Sequence, residues 1–157
     1  MNTTPKVSTS SVVTIRNITK DTFWEICQLS VTDEQKDFVD SVAESMAEAN
    51  FHDSAWFQGI YADEEPVGFL MLDLRLEEEK YVVWRFLIDK RFQGMGFGSK
   101  ALTLLIEHVK SETDANELLT SVVKKEGNPQ EFYEKAGFQL TGDYWGREAV
   151  MKLSIEK

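Results

Sequence analysis

The stretch Phe86-Leu87-Ile88-Asp89-Lys90-Arg91-Phe92-Gln93-Gly94-Met95-Gly96-Phe97-Gly98 concentrates the residues with chemical meaning. An apolar run enters it, alternate glycines turn it, and a pattern of helical period leaves it. Glycine adopts positive φ and lets the main chain approach a ligand closely. Free N–H groups at the start of the departing helix converge on one place, where the helix dipole adds partial positive charge. Charge-assisted hydrogen bonds contribute roughly 1.5–3 kcal/mol each, enough together to hold a diphosphate on an acidic chain. Lys90, Arg91 and Lys100 make the surroundings locally basic. A nucleoside-triphosphate loop needs glycine, lysine and Ser/Thr in that order, whereas here Ser99 precedes Lys100. A dinucleotide fold needs Gly-x-Gly-x-x-Gly near the start of a large parallel sheet. Here the spacing is Gly-x-Gly-x-Gly and only about 60 residues follow. A turn without a ligand would carry these glycines at an entropic cost that nothing offsets.

This turn needs a scaffold, and the rest of the chain supplies one. Val12 to Asn17 reads as a first strand. Asp21 or Thr19 caps a helix through Phe23, Ile26 and Cys27, and Thr32 or Asp33 caps a helix from about Gln35 to Ala49. In that second helix Phe38, Val42, Met46 and Ala49 recur at helical spacing. Trp56 to Ala62, Val67 to Leu74 and Tyr81 to Ile88 read as strands, separated by the turns Asp63–Pro66 and Glu77–Glu79. The last is interrupted only by Arg85, which suits burial on both faces. A helix from about Gly98 to Lys110 buries Leu102, Leu105, Ile106 and Val109. Leu118 to Val123 is another strand. Asn128 caps a short helix with Pro129 at its first position, and Gly137 ends it. Phe138 to Thr141 and Val150 to Ile155 are the last strands, in a hairpin around Trp145-Gly146. Alternation of this kind gives a mixed α/β sheet covered by helices.

Composition narrows the function classes. The 157 residues suffice for one domain with a sizeable core, expected over residues 12–157 behind a flexible lead, residues 1–11, that carries no apolar targeting region. A net charge of −10 disfavours nucleic acid as a partner and favours encounter with cations. No apolar run approaches the roughly 20 residues of a membrane span. The single cysteine, Cys27, excludes an internal disulfide and a cysteine-rich metal site, so the expectation is a cytoplasmic protein with no metal and no membrane partner.

Two motifs together resemble the GNAT superfamily of acyl-CoA-dependent N-acetyltransferases. Arg91, Gly94 and Gly96 match its Arg/Gln-x-x-Gly-x-Gly/Ala signature, and Phe132-Tyr133-Glu134-Lys135-Ala136-Gly137-Phe138 resembles its C-terminal tyrosine motif about 40 residues on. Trp84 to Asp89 and the helix at Glu34-Gln35 look most like its bacterial spermine/spermidine branch. The resemblance implies a single-domain α/β (α+β) fold, a mixed, mostly antiparallel sheet of about six to seven strands flanked by about four helices. It implies acetyl-CoA as donor and a primary amine as acceptor, with a small cationic amine such as a polyamine foremost. A protein amine, an amine antibiotic, or acyl-CoA sensing without turnover are its alternatives. It further implies that main-chain N–H groups of Gln93, Gly94, Met95, Gly96, Phe97, Gly98 and Ser99 hold the diphosphate, and that Phe86, Leu87 and Ile88 bond the pantetheine arm. This strand is usually splayed from the next, Leu118 to Val123. Tyr133 becomes the acid that protonates the departing thiolate. Asn128 lies five residues before Tyr133 where relatives carry a CoA-contacting asparagine seven before, so Asn128 is a helix cap first and a CoA contact second. Dimers are common in the family, though nothing in the sequence requires a homodimer.

The chemistry expected is direct attack of the amine on the thioester. A lysine-like amine of pKa near 10.4 is neutral in about one molecule in 2,500 at pH 7. Some relatives place a glutamate on the central strand to take the proton, but the motif register puts Trp84 there. A water bridged to Glu34 or Asp73 is the route that remains. Trp84 and Trp145 are core residues or walls of an amine pocket, since an indole face attracts a cation by roughly 0.5–2 kcal/mol. Glu34, Asp73 and Asp143 are candidates for its negative charge. Trp24 and Trp56 are expected in the core, Cys27 as a small buried apolar group, and His52 and His108 as structural or solvated.

Overall fold

A computed structural model describes residues 7–156. Its centre is a seven-stranded sheet in the order β1-β2-β3-β4-β5-β7-β6, built from β1 (Val13–Arg16), β2 (Ala55–Ala62), β3 (Glu65–Arg75), β4 (Lys80–Ile88), β5 (Glu117–Val123), β6 (Gln139–Trp145) and β7 (Glu148–Ser154). All neighbours are antiparallel except β4 and β5. Those two are parallel because α3 (Phe97–Glu112) crosses over between them. The strand and helix order is the one expected from sequence.

Each face of the sheet buries a separate core. One contains Ile60, Leu70, Leu72, Val83, Leu102, Leu105, Leu118 and Met151 and lies under α3 and α4 (Gln130–Lys135). The other contains Ile26, Val42, Phe69, Met71 and Leu87 and lies under α1 (Phe23–Cys27) and α2 (Val42–Ala49). Period-two alternation assigns the faces: along β3, Leu70 and Leu72 go to the first core, Phe69 and Met71 to the second. Asp73 therefore joins the α2 face.

Four expectations need correction. The helix over Gln35 to Ala49 is two elements, a 3₁₀ turn (Glu34–Asp37) and α2. Thr32 and Gln35 exchange hydrogen bonds across the first, the Thr32 hydroxyl accepting from Gln35 N at 3.3 Å and Gln35 Oε1 from Thr32 N at 3.2 Å. Ser41 starts the second, accepting from Glu44 N at 3.1 Å. Two such boxes in thirteen residues mark two starts, and the helical spacing of Phe38 and Val42 hid the break. The last two strands are longer than expected, because Gly142 at φ +91° inserts a bulge that lets pairing resume at Tyr144. The N-terminal lead is bound from Val7 onward: Val7 packs on the first core and Lys100 Nζ donates to Thr9 O at 2.8 Å. Residues 1–6 of that lead lie outside the described residues. Trp24 is 67% exposed rather than core, since five-residue α1 buries Ile26 alone and leaves Trp24 edge-on to Phe23.

Candidate active site

The glycine turn is held from beneath before it meets any ligand. Asp89, 2% exposed, accepts through Oδ1 from Arg91 N and Arg91 Nε, both at 2.9 Å, and through Oδ2 from Ser30 N at 2.9 Å. Burial pushes this carboxyl up, but the bonds from Arg91 and Ser30 outweigh it and hold it below the usual carboxylate range. Gln93 Nε2 donates back to Ile88 O at 2.9 Å and to Gln35 Oε1 at 2.8 Å, and Gln35 Nε2 returns a bond to Gln93 Oε1 at 3.1 Å. Beyond this brace Gly94 and Gly96 take φ of +80° and +82°, and Gly96 is the N-cap of α3. A Cβ on either would meet nothing within 4 Å, so their open side is vacant for a ligand's approach. At Gly98 a Cβ would press on Phe132 at 3.3 Å. Gln93 thus closes the turn while Arg91 is spent on Asp89, so the signature Arg/Gln-x-x-Gly-x-Gly fits this loop best as Gln93, Gly96 and Gly98. Lys100 keeps its charge but does not line the cleft, its ammonium donating to the carbonyls of Thr9 and Ser11.

From the turn a cleft of about 1070 Å³ runs along β4. It exists because β4 and β5 share one rung, Val82 beside Leu119, and then part. Thr120 fastens the closed end by donating to Val83 O at 3.2 Å. At the far end of β5 Asn128 Nδ2 donates to Val123 O at 2.8 Å, while its Oδ1 accepts from Gln130 N at 3.0 Å. The N-cap of α4 is Pro129 rather than the expected Asn128; Asn128 sits one residue earlier, in a turn closed by its own side chain, and lines the cleft. Phe86, Leu87, Ile88, Gln93, Gly94, Gly96, Phe97, Gly98 and Ser99 line it too, while Met95 turns away to pack on the first core. The N–H groups at the first turn of α3, positive-φ glycines and a parted strand pair together suit a diphosphate carrying an extended arm.

Tyr133 reaches the cleft from α4, on the α3 face of the sheet. Its ring is buried edge-on between Phe132 and Phe138, each 5.3 Å away between centroids. Burial pushes its hydroxyl up to about 12, offset in part by the neighbouring Thr120 hydroxyl. Such a phenol keeps its proton at neutral pH and can hydrogen-bond a departing sulfur; because a thiolate, of pKa about 8.5, is the weaker base, the proton passes over only if another replaces it on the phenol.

The opposite end of the cleft is assembled on the α2 face. Trp84 is an extra residue on β4: Arg85 pairs with Met71 and Val83 with Leu72, leaving Trp84 unpaired in a bulge. The bulge turns Trp84 and Arg85 to the same face. Arg85 reaches Asp40 at 2.7 Å and Glu48 at 3.3 Å, tying α2 to the strand. Trp84 meets His52 edge-on at 5.2 Å. Asp73 is 8% exposed; its Oδ2 accepts from Arg75 Nε at 2.8 Å, and its buried Oδ1 has no partner among the described residues. Lys80 sits over the Trp145 ring at 4.7 Å. Trp84, Asp73, Arg75, Lys80, His52 and Trp145 all line this end.

Glu34 is not part of the site. It is exposed on the 3₁₀ turn and does not line the cleft, because Gln35 takes the inward position against Gln93. Asp143 is exposed on β6 and outside it as well, and so is half-buried Cys27, whose thiol burial pushes up. His108, a residue of α3, stacks on Trp56 at 3.9 Å, away from the cleft. Sequence reasoning missed Thr120, Asp89, Arg75 and Lys80 as contributors, and Gln35 as a brace. Only Gln35 left a local sign, the Thr-x-x-Gln box. Among the described residues no group of three His, Cys, Asp or Glu side chains is placed to hold a metal ion, and no helix is long and apolar enough to cross a membrane.

Comparison with known proteins gives a consistent reading. The chain is 28% identical over 151 residues to a spermine/spermidine N(1)-acetyltransferase of Bacillus subtilis, covering 89% of this chain and 97% of that one. It is 24% identical over 140 residues to a 5-NmdU N-acetyltransferase of Pseudomonas phage PaMx11, covering 88% and 96%. The PaiA N-acetyltransferase of Thermoplasma acidophilum, solved with coenzyme A, superposes with a TM-score of 0.70 at 16% identity over 92% of this chain and 99% of that one. The model of the acetyltransferase (GNAT) family matches residues 17–138. With most of its length inside that match, this chain belongs to the GNAT family and is an acetyl-CoA-dependent N-acetyltransferase.

Proposed function

We propose that the protein acetylates a primary amine of a small cationic compound of the polyamine class. The observation that carries this is the cleft itself, which joins a diphosphate cradle at Gln93 to Ser99 with an acceptor end where Asp73 keeps a buried, unpartnered oxygen and Trp84 also lines the wall. The likeness to the Bacillus spermine/spermidine enzyme and the net charge of −10 support it. In this reading the main chain from Gln93 to Ser99 holds the diphosphate of acetyl-CoA, and Phe86, Leu87 and Ile88 flank the arm. The donor supplies an activated acetyl group as a thioester. The amine, after losing one proton to water in the cleft, attacks the thioester carbonyl; as the C–S bond breaks, Tyr133 passes its proton to the sulfur and regains one from the nitrogen through water.

One observation favours a second acceptor class. Arg75 and Lys80 line the acceptor end with Asp73, an arrangement that also suits an amine carrying a carboxylate or phosphate. Release of free CoA from acetyl-CoA, measured against polyamines, aminoglycosides, amino acids and peptides, separates the two. Polyamines are expected to be turned over fastest; preference for an amino acid or peptide would overturn the polyamine reading and leave the enzyme class intact. In the same assay Tyr133→Phe is expected to lower kcat by about 10²–10³-fold, the usual scale of a lost general acid, with acetyl-CoA affinity within about twofold. Wild-type turnover by that variant would remove Tyr133 from the reaction.

A further inference from the structure

Asp73 is an anomaly that the transfer chemistry alone does not explain. It lies on the α2 face of β3, on the rung that runs through Val82 to Leu119, the single rung joining β4 to β5. Strands rise about 3.3 Å per residue, so Val82 is about 20 Å along β4 from Ile88, where the glycine turn begins. Asp73 thus belongs to the end of the cleft away from the diphosphate cradle. Its Oδ2 is satisfied by Arg75, and its Oδ1 is buried and empty-handed among the described residues. A buried carboxylate oxygen without a donor is costly unless a ligand completes it. The donor that suits it is an ammonium.

That ammonium is not the one acetylated. A carboxylate in contact with an amine favours the charged form, whereas the attacking nitrogen must be neutral. The charged and titratable groups sharing this end of the cleft are Arg75 on β3, Lys80 and Arg85 on β4, His52 before β2 and Glu148 on β7. Arg85 is neutralised by Asp40 and Glu48, and Glu148 accepts from Ser121. Arg75 is shared between Asp73 at 2.8 Å and Glu78 at 3.6 Å, which leaves Lys80, over the Trp145 ring, as the positive neighbour that disfavours another ammonium close by and so favours a neutral amine there. Resting on the acetyltransferase reading above, we propose that Asp73 Oδ1 is the seat of a second, non-reacting ammonium of the acceptor, which makes a diamine or longer polyamine the preferred substrate over a monoamine.

The test compares kcat/KM for diaminobutane and butylamine, which differ by the amine that Asp73 would hold. Wild type is expected to favour the diamine by about 10–100-fold, the range of one charge-assisted hydrogen bond. In Asp73→Asn, which keeps shape and removes charge, that ratio is expected to collapse toward one, and Asp73→Glu to restore part of it. An equal fall for both amines would overturn the seat and make Asp73 a structural residue. A wild-type ratio near one would overturn it without any variant, so the proposal stays testable if Asp73→Asn fails to fold. Turnover of both amines at equal rates would spare the small-amine reading while sinking the seat; turnover of neither would sink both.

Discussion

The two ends of the cleft are built on different principles. The donor end is local: Asp89 to Ser99 is one continuous segment whose shape follows from glycine φ, a helix N-terminus and a side-chain brace. The acceptor end is assembled by the sheet, with Asp73 from β3, Trp84 from a bulge in β4, His52 from before β2 and Trp145 from the β6–β7 hairpin. A local device tolerates change elsewhere and suits a task that stays the same, the grip on a shared donor. A composite site can change acceptor one residue at a time.

The sharpest way to break the donor end is Gly96→Val. The φ of +82° is the left-handed region, which costs a branched residue roughly 1–2 kcal/mol, yet nothing within 4 Å obstructs the new Cβ in the free protein. The chain should therefore fold, while acetyl-CoA affinity measured by calorimetry should fall by about 100-fold or more. Gly142→Val is the control, carrying similar strain at φ +91° outside the cleft. Equal loss in both variants, or unchanged affinity in Gly96→Val, would sink the cradle assignment.

That contrast also explains what could be read from the sequence. The turn was legible because its information lies in consecutive residues, and Tyr133 because its motif does. The sheet was legible because alternation along Val67 to Leu74 and the apolar run of Tyr81 to Ile88 are local patterns. The acceptor end was not. Arg85 shares the face of Trp84 and Asp73 only because a bulge shifts the phase of β4, and a register shift leaves no mark in one strand's own sequence. Glu34 and Gln35 adjoin in sequence, and which of them faces inward was decided by Gln93, 58 residues from Gln35.

A smaller effect probes the link between the two ends. Gln35 and Gln93 exchange amide bonds, joining the turn before α2 to the glycine turn. Gln35→Leu leaves one partner of a half-buried pair unsatisfied, worth about 1–2 kcal/mol, so the unfolding midpoint should fall by about 2–8 °C. The KM for acetyl-CoA should rise several-fold, with that for the amine moving less. If both KM values stay at wild type, the brace serves stability alone and the ends are independent.

The smallest effect lies outside the cleft and tests whether pH dependence can be assigned to chemistry rather than to folding. Partial burial lowers the His108 pKa from its ordinary value near 6.5, with Glu112 opposing, and the ring stacks on Trp56 with planes 10° apart. A histidine whose folded pKa is depressed binds fewer protons folded than unfolded, so stability is full above about pH 6.5 and declines as pH falls below it. His108→Phe keeps a ring against Trp56 and removes the titration. Its unfolding midpoint should therefore change less than wild type's between pH 7.5 and 5, while its rate profile over the same range should match wild type's. Parallel melting curves would remove His108 from the acid sensitivity. A shifted rate profile would show that the His108–Trp56 pair, although outside the cleft, is coupled to it.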